Sequence, residues 1–200
     1  MPEPFLSLTA IAAPLEMSNV DTDQILPARY LRRPRDERYA TYAFHDLRFT
    51  PEGAKRDDFI LNRAPFDRAG ILVAQRNFGV GSSREAAVYA LLAIGVRAVV
   101  AESFGDIFFS NALKNGLVPV RLPEAVCAGL RATLAATPGA EITVDLQAET
   151  LTTPDGATHR FTIPPFNRDC LVRGLDEIGL TLTLLPEIEV FEAARAPTRV

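Results

Sequence analysis

The sequence predicts an α/β domain with mixed parallel and antiparallel strands, on three observations. Between residues 71 and 120, short β-branched runs alternate with apolar helical stretches, the pattern of parallel strands joined by right-handed crossovers. Between residues 142 and 163, strand-like runs follow one another with no helix between them, two of them joined across the turn sequence Pro154-Asp155-Gly156. The 200 residues are 48% hydrophobic, enough for one substantial core. No linker or repeat divides the chain, so residues 1–200 are read as a single domain.

The elements follow in order. Residues 5–12 alternate as a strand, and Pro14 with the polar run 19–23 ends it in a loop whose Asn and Asp side chains favour local turns. Residues 34–69 are charged, aromatic and irregular, with a helix expected over 36–44. This stretch is expected to cover the core rather than belong to it. Strand 71–75, helix 83–94, strand 98–101, helix 106–114 with Gly116 as its C-cap, and strand 117–120 make the alternating centre. Helix 83–94 is apolar on nearly every face and should be buried on several sides. An amphipathic helix over 123–137 follows, then antiparallel strands 142–146, 150–153 and 159–163, and two short helices over 168–177 and 186–194.

Composition excludes several functions. A net charge of −4 and a pI near 5.3 argue against a nucleic-acid surface, and the 15 prolines are dispersed. Met1-Pro2-Glu3-Pro4 opens no leader sequence, and no stretch approaches the ~20 apolar residues that span a bilayer. A soluble cytoplasmic protein without membrane contact is expected. Cys127 and Cys170 are the only cysteines, expected as buried thiols, and two cysteines cannot hold an iron–sulfur cluster alone. His45 and His159 are too isolated for a metal site or a Ser-His triad, so no metal ligand is assigned.

Chemistry concentrates in Asn77-Phe78-Gly79-Val80-Gly81-Ser82-Ser83-Arg84-Glu85, where a β-branched strand runs into glycines, hydroxyls and an arginine just before a long apolar helix. Such a junction suits anion binding: glycine lets backbone approach a ligand, free N–H groups of a first helical turn point outward, and arginine adds a bidentate fork. Ser82-x-x-Glu85 also has the form of a capping box, which needs no ligand. The run lacks the Gly-Lys-Ser/Thr of a P-loop, the third glycine of a dinucleotide loop and the Gly-x-Ser-x-Gly of a hydrolase elbow. Arg29, Arg32, Arg33, Arg35 and Arg38 concentrate positive charge, either as a solvated surface or as receivers of carboxylates.

The run 77–85, with Asn19-Val20-Asp21-Thr22-Asp23-Gln24-Ile25-Leu26-Pro27 upstream and residues 103–117 downstream, resembles the small subunit of 3-isopropylmalate dehydratase, a relative of the swivelling domain of aconitase-type hydro-lyases. The resemblance implies a three-layer β/β/α swivelling fold and a large partner subunit carrying a 4Fe-4S cluster. It further implies a small hydroxy-dicarboxylate substrate that is dehydrated and rehydrated in leucine biosynthesis. Carried over onto this chain, Ser82 is the base that takes the proton from carbon, Ser83 a hydrogen-bond donor beside Gly81, and Arg84 a carboxylate clamp. Asp23 lies near the active-site interface, against its other reading with Asp21 as an Asx-turn residue. Arg29, Tyr30, Leu31 and Arg32 occupy the loop that helps select the substrate side chain. The family's usual Gly-Cys-Gly and Arg-Glu-His-Ala-Pro are here Val80 between the glycines, Ala86 after Glu85, and Val88 in place of proline. Those departures leave open a paralogue acting on citraconate, a methylmalate or homoaconitate. A non-catalytic anionic-metabolite binding module is the alternative from another class.

Overall fold

The computed structural model describes residues 2–195. Seven strands form one sheet in the order β4-β3-β2-β1-β5-β6-β7. In chain order β1 is Ser7–Pro14, α1 Thr22–Ile25, α2 His45–Arg48, β2 Ile71–Val73, α3 Glu85–Ala93, β3 Ala98–Ala101, α4 Asp106–Lys114, β4 Val118–Arg121 and α5 Glu124–Ala136. Then come β5 Glu141–Asp145, β6 Thr150–Thr152, β7 Thr158–Arg160, α6 Pro165–Arg173, α7 Glu177–Thr183 and α8 Leu185–Ala194. The mixed α/β class read from the sequence is the class observed.

Strand β1 joins the two halves of the sheet. Its first five residues pair antiparallel with β5, from Ser7 opposite Asp145 to Ile11 opposite Glu141. Its last three run parallel to β2, from Ala12 opposite Ile71 to Pro14 opposite Val73. Strands β2, β3 and β4 continue in parallel, and β6 and β7 extend the antiparallel wing.

The parallel strands are buried on both faces, which is why they read as unbroken apolar runs. Side chains alternate across the pleat. Ala13, Leu72, Val99 and Ala101 face one core with Ala87, Val88 and Leu91 of α3. Ala12, Ile71, Val73, Val100 and Val120 face the other with Cys127, Leu130 and Leu134 of α5 and Ile142, Val144 and Leu151 of the wing. The wing buries one face only, so Glu141, Thr143 and Asp145 look outward.

Several expected boundaries move. The first strand runs two residues later than 5–12, because Phe5 turns into the core while its N–H bonds to the Leu171 carbonyl. The helix expected over 36–44 is a 3₁₀ stretch, Glu37–Thr41, started by the Asp36 carboxylate on the Arg38 N–H; Phe44 then takes a left-handed conformation and α2 begins. The expected strand 159–163 keeps only its first residues in the ladder, since Phe161 and Ile163 leave it to fill the second core. The helix expected over 168–177 starts at Pro165 and stops at Arg173, and α7 occupies the gap left before 186–194.

Segment 34–69 is the largest correction. Tyr39, Ala43, Phe44, Phe59, Leu61 and Phe66 are all buried in the first core, so the segment belongs to the core it was expected to cover. Its aromatic residues, interspersed with charge, gave no period by which to recognise this. Phe44→Ala is therefore expected to cost about 3–5 kcal/mol, as for other buried phenylalanines. Asp36→Ala, which removes only a cap, should cost about 1 kcal/mol or less. Chemical denaturation of both variants checks this, and comparable small losses would return the segment to the surface.

Candidate active site

The two sequence motifs meet at the carboxyl end of β2 and are held together mainly by backbone. Asp21 forms a parallel bridge with Val80. The N–H groups of Gly79 and Val80 both donate to the Val20 carbonyl, at 2.7 and 3.2 Å. Thr22 donates its N–H to the Val80 carbonyl and its Oγ1 to the Ser82 carbonyl, each at 2.9 Å.

The upstream segment is rigid because α1, though only four residues long, is capped at its start. The Asp21 carboxylate accepts from the N–H groups of Asp23 and Gln24, and the Gln24 side chain accepts from the Asp21 N–H at 2.9 Å. A capping box therefore exists, but in this segment. At the other one Arg84 is the N-cap with no side-chain bond, α3 starts at Glu85 rather than at residue 83, and the Glu85 carboxylate accepts from Asn115 at 2.8 Å. Ser82 is thus free of the capping role its spacing allowed. Asp21 holds the Asx-type position, and Asp23 does not.

The downstream segment is a tight loop with Asn77 at φ +57° and Gly81 at φ +93°. Asn77 is fixed by Ser103, whose Oγ accepts the Asn77 N–H at 2.9 Å and donates to Asn77 Oδ1 at 3.1 Å, while Asn77 Nδ2 donates to Asn19 at 2.9 Å. Gly105 is required by packing, since a Cβ there would lie 2.6 Å from the Gly79 carbonyl oxygen. Phe78, Phe104 and Phe108 pack edge-on and stacked beneath the loop. Asn77, Ser103 and Thr22 were not legible as supports, because isolated Asn, Ser and Thr read as ordinary loop residues.

Above this support Gly81, Ser82 and Ser83 are exposed, and neither serine hydroxyl has a hydrogen-bond partner among the described residues. Arg84, with a side chain only 15% exposed, is paired with Asp23 through Nη1. Asp23 also accepts from the Ala28 N–H at 2.9 Å. The Arg84 hydrogen bond, aided by the Ala28 N–H and opposed by partial desolvation, holds the Asp23 carboxyl below the usual carboxylate range. The remaining donors of Arg84 make no bond within the described residues, so its fork still has an edge for a second carboxylate.

In the loop after α1, Arg29 grips Asp46 with both guanidinium arms, and Tyr30 stacks on Tyr42 with centroids 4.3 Å apart and meets His45 edge-on. Leu31 and Arg32 are exposed, and Arg32 has no ion-pair partner among the described residues. Arg35 lies over the Tyr89 ring at 3.4 Å. The arginine run is thus partly consumed internally.

Among the described residues no cluster of three or more His, Cys, Asp or Glu side chains gathers as a metal site would. Both cysteines are buried, on α5 and α6, and burial pushes the Cys127 thiol up to about 11. The chain's own residues therefore do not fit an iron–sulfur cluster. No helix among the described residues is long and apolar enough to cross a membrane.

A family model described as "Aconitase C-terminal domain" matches residues 2–125, and a second, LeuD_N, matches residues 128–165. The chain is 47% identical over 193 residues to the 3-isopropylmalate dehydratase small subunit of Gluconacetobacter diazotrophicus, covering 96% of this chain and 93% of that one. The corresponding protein of Rhodospirillum centenum is 48% identical over 191 residues, covering 96% and 94%. The chain belongs to the 3-isopropylmalate dehydratase small-subunit family. The crystal structure of 3-isopropylmalate dehydratase from Methanocaldococcus jannaschii superposes with a TM-score of 0.67 at 28% identity, covering 92% of this chain and 99% of that one. Val88, where the resemblance had implied proline, is fully buried in the first core.

The Asp23–Arg84 pair carries a pH signature. Because its folded pKa is lowered, Asp23 adds stability fully present above the unfolded carboxylate pKa of about 3.9 and lost as pH falls through the lower folded value. Asp23 is half exposed, so the effect at neutral pH should be about 1 kcal/mol or less. Asp23→Asn should lower the melting temperature slightly at pH 7, and the gap to wild type should narrow as pH falls below the unfolded carboxylate pKa of about 3.9. A gap that stays constant on acidification would place the loss outside the charge pair.

Proposed function

We propose that this chain is the small subunit of a cytoplasmic two-polypeptide hydro-lyase that interconverts 2-isopropylmalate and 3-isopropylmalate in leucine biosynthesis, with Ser82 as the proton-transfer base. The carrying observation is the exposed pair Ser82 and Ser83, both unbonded at their hydroxyls, on a loop whose backbone is held to the upstream motif and whose next residue is a mostly shielded arginine. A cluster, which this chain's residues do not fit, belongs to the large subunit.

A serine oxyanion is unfavourable at neutral pH, so the base needs local positive potential. The uncapped start of α3 supplies dipole and free N–H groups, and Arg84 supplies a full charge. Arg84 would receive a substrate carboxylate on the edge that Asp23 leaves open, while Asp23 fixes the guanidinium plane. Leu31 and Arg32, exposed beyond the anchored Arg29 and Tyr30, are the residues of that loop best placed to meet the substrate's side chain. The exposed apolar side chains of α7 and α8, among them Ile178, Leu182, Val190 and Phe191, are a surface of the kind a permanent subunit partner covers.

Reconstitution with the large subunit tests the roles. Ser82→Ala should lower kcat by a factor on the order of 10² or more, at ~1.4 kcal/mol per decade, with KM little changed. Arg84→Lys should raise KM and lower kcat as well, because a point charge cannot replace a bidentate fork. Near-full turnover by Ser82→Ala on either isopropylmalate would remove Ser82 from the chemistry.

A further inference from the structure

We propose that Thr22 is a positioning residue for Ser82, acting through the Ser82 carbonyl; this rests on the assignment of Ser82 as the base. Thr22 is 2% exposed and, with Arg131, is one of two buried polar or charged residues among those described. It spends both of its donors on one loop: its N–H holds the Val80 carbonyl and its hydroxyl the Ser82 carbonyl. Between those two anchors lies Gly81 at φ +93°, the most pliable point of the loop. A single residue therefore fixes both ends of the segment that presents the base, its backbone the Val80 end and its hydroxyl the Ser82 end.

The consequence follows from peptide geometry. Among the described residues only the Ala64–Pro65 bond is cis, so the peptides 80–81 and 82–83 are trans and planar, with each N–H opposed to its carbonyl. Drawing the Val80 and Ser82 carbonyls toward Thr22 turns the N–H groups of Gly81 and Ser83 away from it. Neither N–H has an acceptor among the described residues. Thr22 thus orients the peptide that follows Ser82 and the peptide that enters Gly81, and its own orientation is set twice over. Its β-branched χ1 is stiff, and its backbone is the first helical residue behind the Asp21–Gln24 capping box.

Valine has nearly the same shape as threonine without the donor, and serine keeps the donor. In the enzyme reconstituted with its large subunit, Thr22→Val should lower kcat by about tenfold to a hundredfold, the scale on which small misplacements of a reacting group are felt, with KM within about twofold. Thr22→Ser should recover kcat to within about threefold of wild type, while melting temperatures of the three proteins stay close together. Should Thr22→Val fail to assemble, Thr22→Ala serves as the donor-less variant against Thr22→Ser. Ser82→Ala is run alongside. If it abolishes turnover while the donor-less variant keeps wild-type kcat, the positioning role is overturned and the base assignment stands. If Ser82→Ala retains turnover, the base assignment itself is overturned. Equal losses in Thr22→Ser and the donor-less variant, or a change confined to KM, would also overturn the role of the hydroxyl.

Discussion

The backbone seam between residues 19–23 and 77–84 is the constraint on which the rest of the structure depends. These segments are some sixty positions apart, as the Thr22–Ser82 bond measures, and become neighbours only because β1 and β2 run parallel and in register. The seam continues that ladder past the strand ends, from Leu15 bonded to the Val73 carbonyl, through Gly79 and Val80 on the Val20 carbonyl, to Thr22 on Val80. A polar loop carrying two glycines and left-handed residues would otherwise be mobile. Here it inherits the rigidity of the sheet.

The polar supports of the loop are single hydrogen bonds, whereas its apolar floor is a packed layer. Phe78, Phe104 and Phe108 are buried beneath the backbone of Gly79 and Gly105, so the loop rests on an aromatic layer. That layer connects to the first core, which segment 34–69 completes. The segment thus links the loop after α1 to stability. Phe44 is bonded through its N–H to the Ile25 carbonyl, so the wall of the core and the end of α1 are one unit.

Much of this was legible in the sequence and some was not, for identifiable reasons. Parallel strands and hairpin were readable because β-branched runs and Pro-Asp-Gly have direct geometric meaning. Segment 34–69 was misjudged because its aromatics are spaced by no period, and burial without periodicity leaves no local trace. The capping box went to the wrong motif because Ser-x-x-Glu and Asp-x-x-Gln satisfy the same rule. Tertiary contacts chose between them: Asn115 takes the Glu85 carboxylate, and Thr22 takes the Ser82 carbonyl. Thr22 itself was invisible, since a threonine that bonds sixty residues away looks like any other.

The arginine run shows how a charge cluster is divided by structure. Arg29 is neutralised by Asp46 and Arg35 lies flat on Tyr89, so both act as braces. Arg84, sequence-distant from the run, is largely shielded from solvent, and Asp23 keeps it in place without saturating its fork. An ion pair of this kind contributes little to stability where it is half exposed, and its value lies in geometry. A guanidinium held in one plane by a carboxylate from the neighbouring motif keeps its remaining edge in a fixed orientation. The ordering cost of that side chain is met during folding, and the same seam that holds the serine loop also holds the charge beside it.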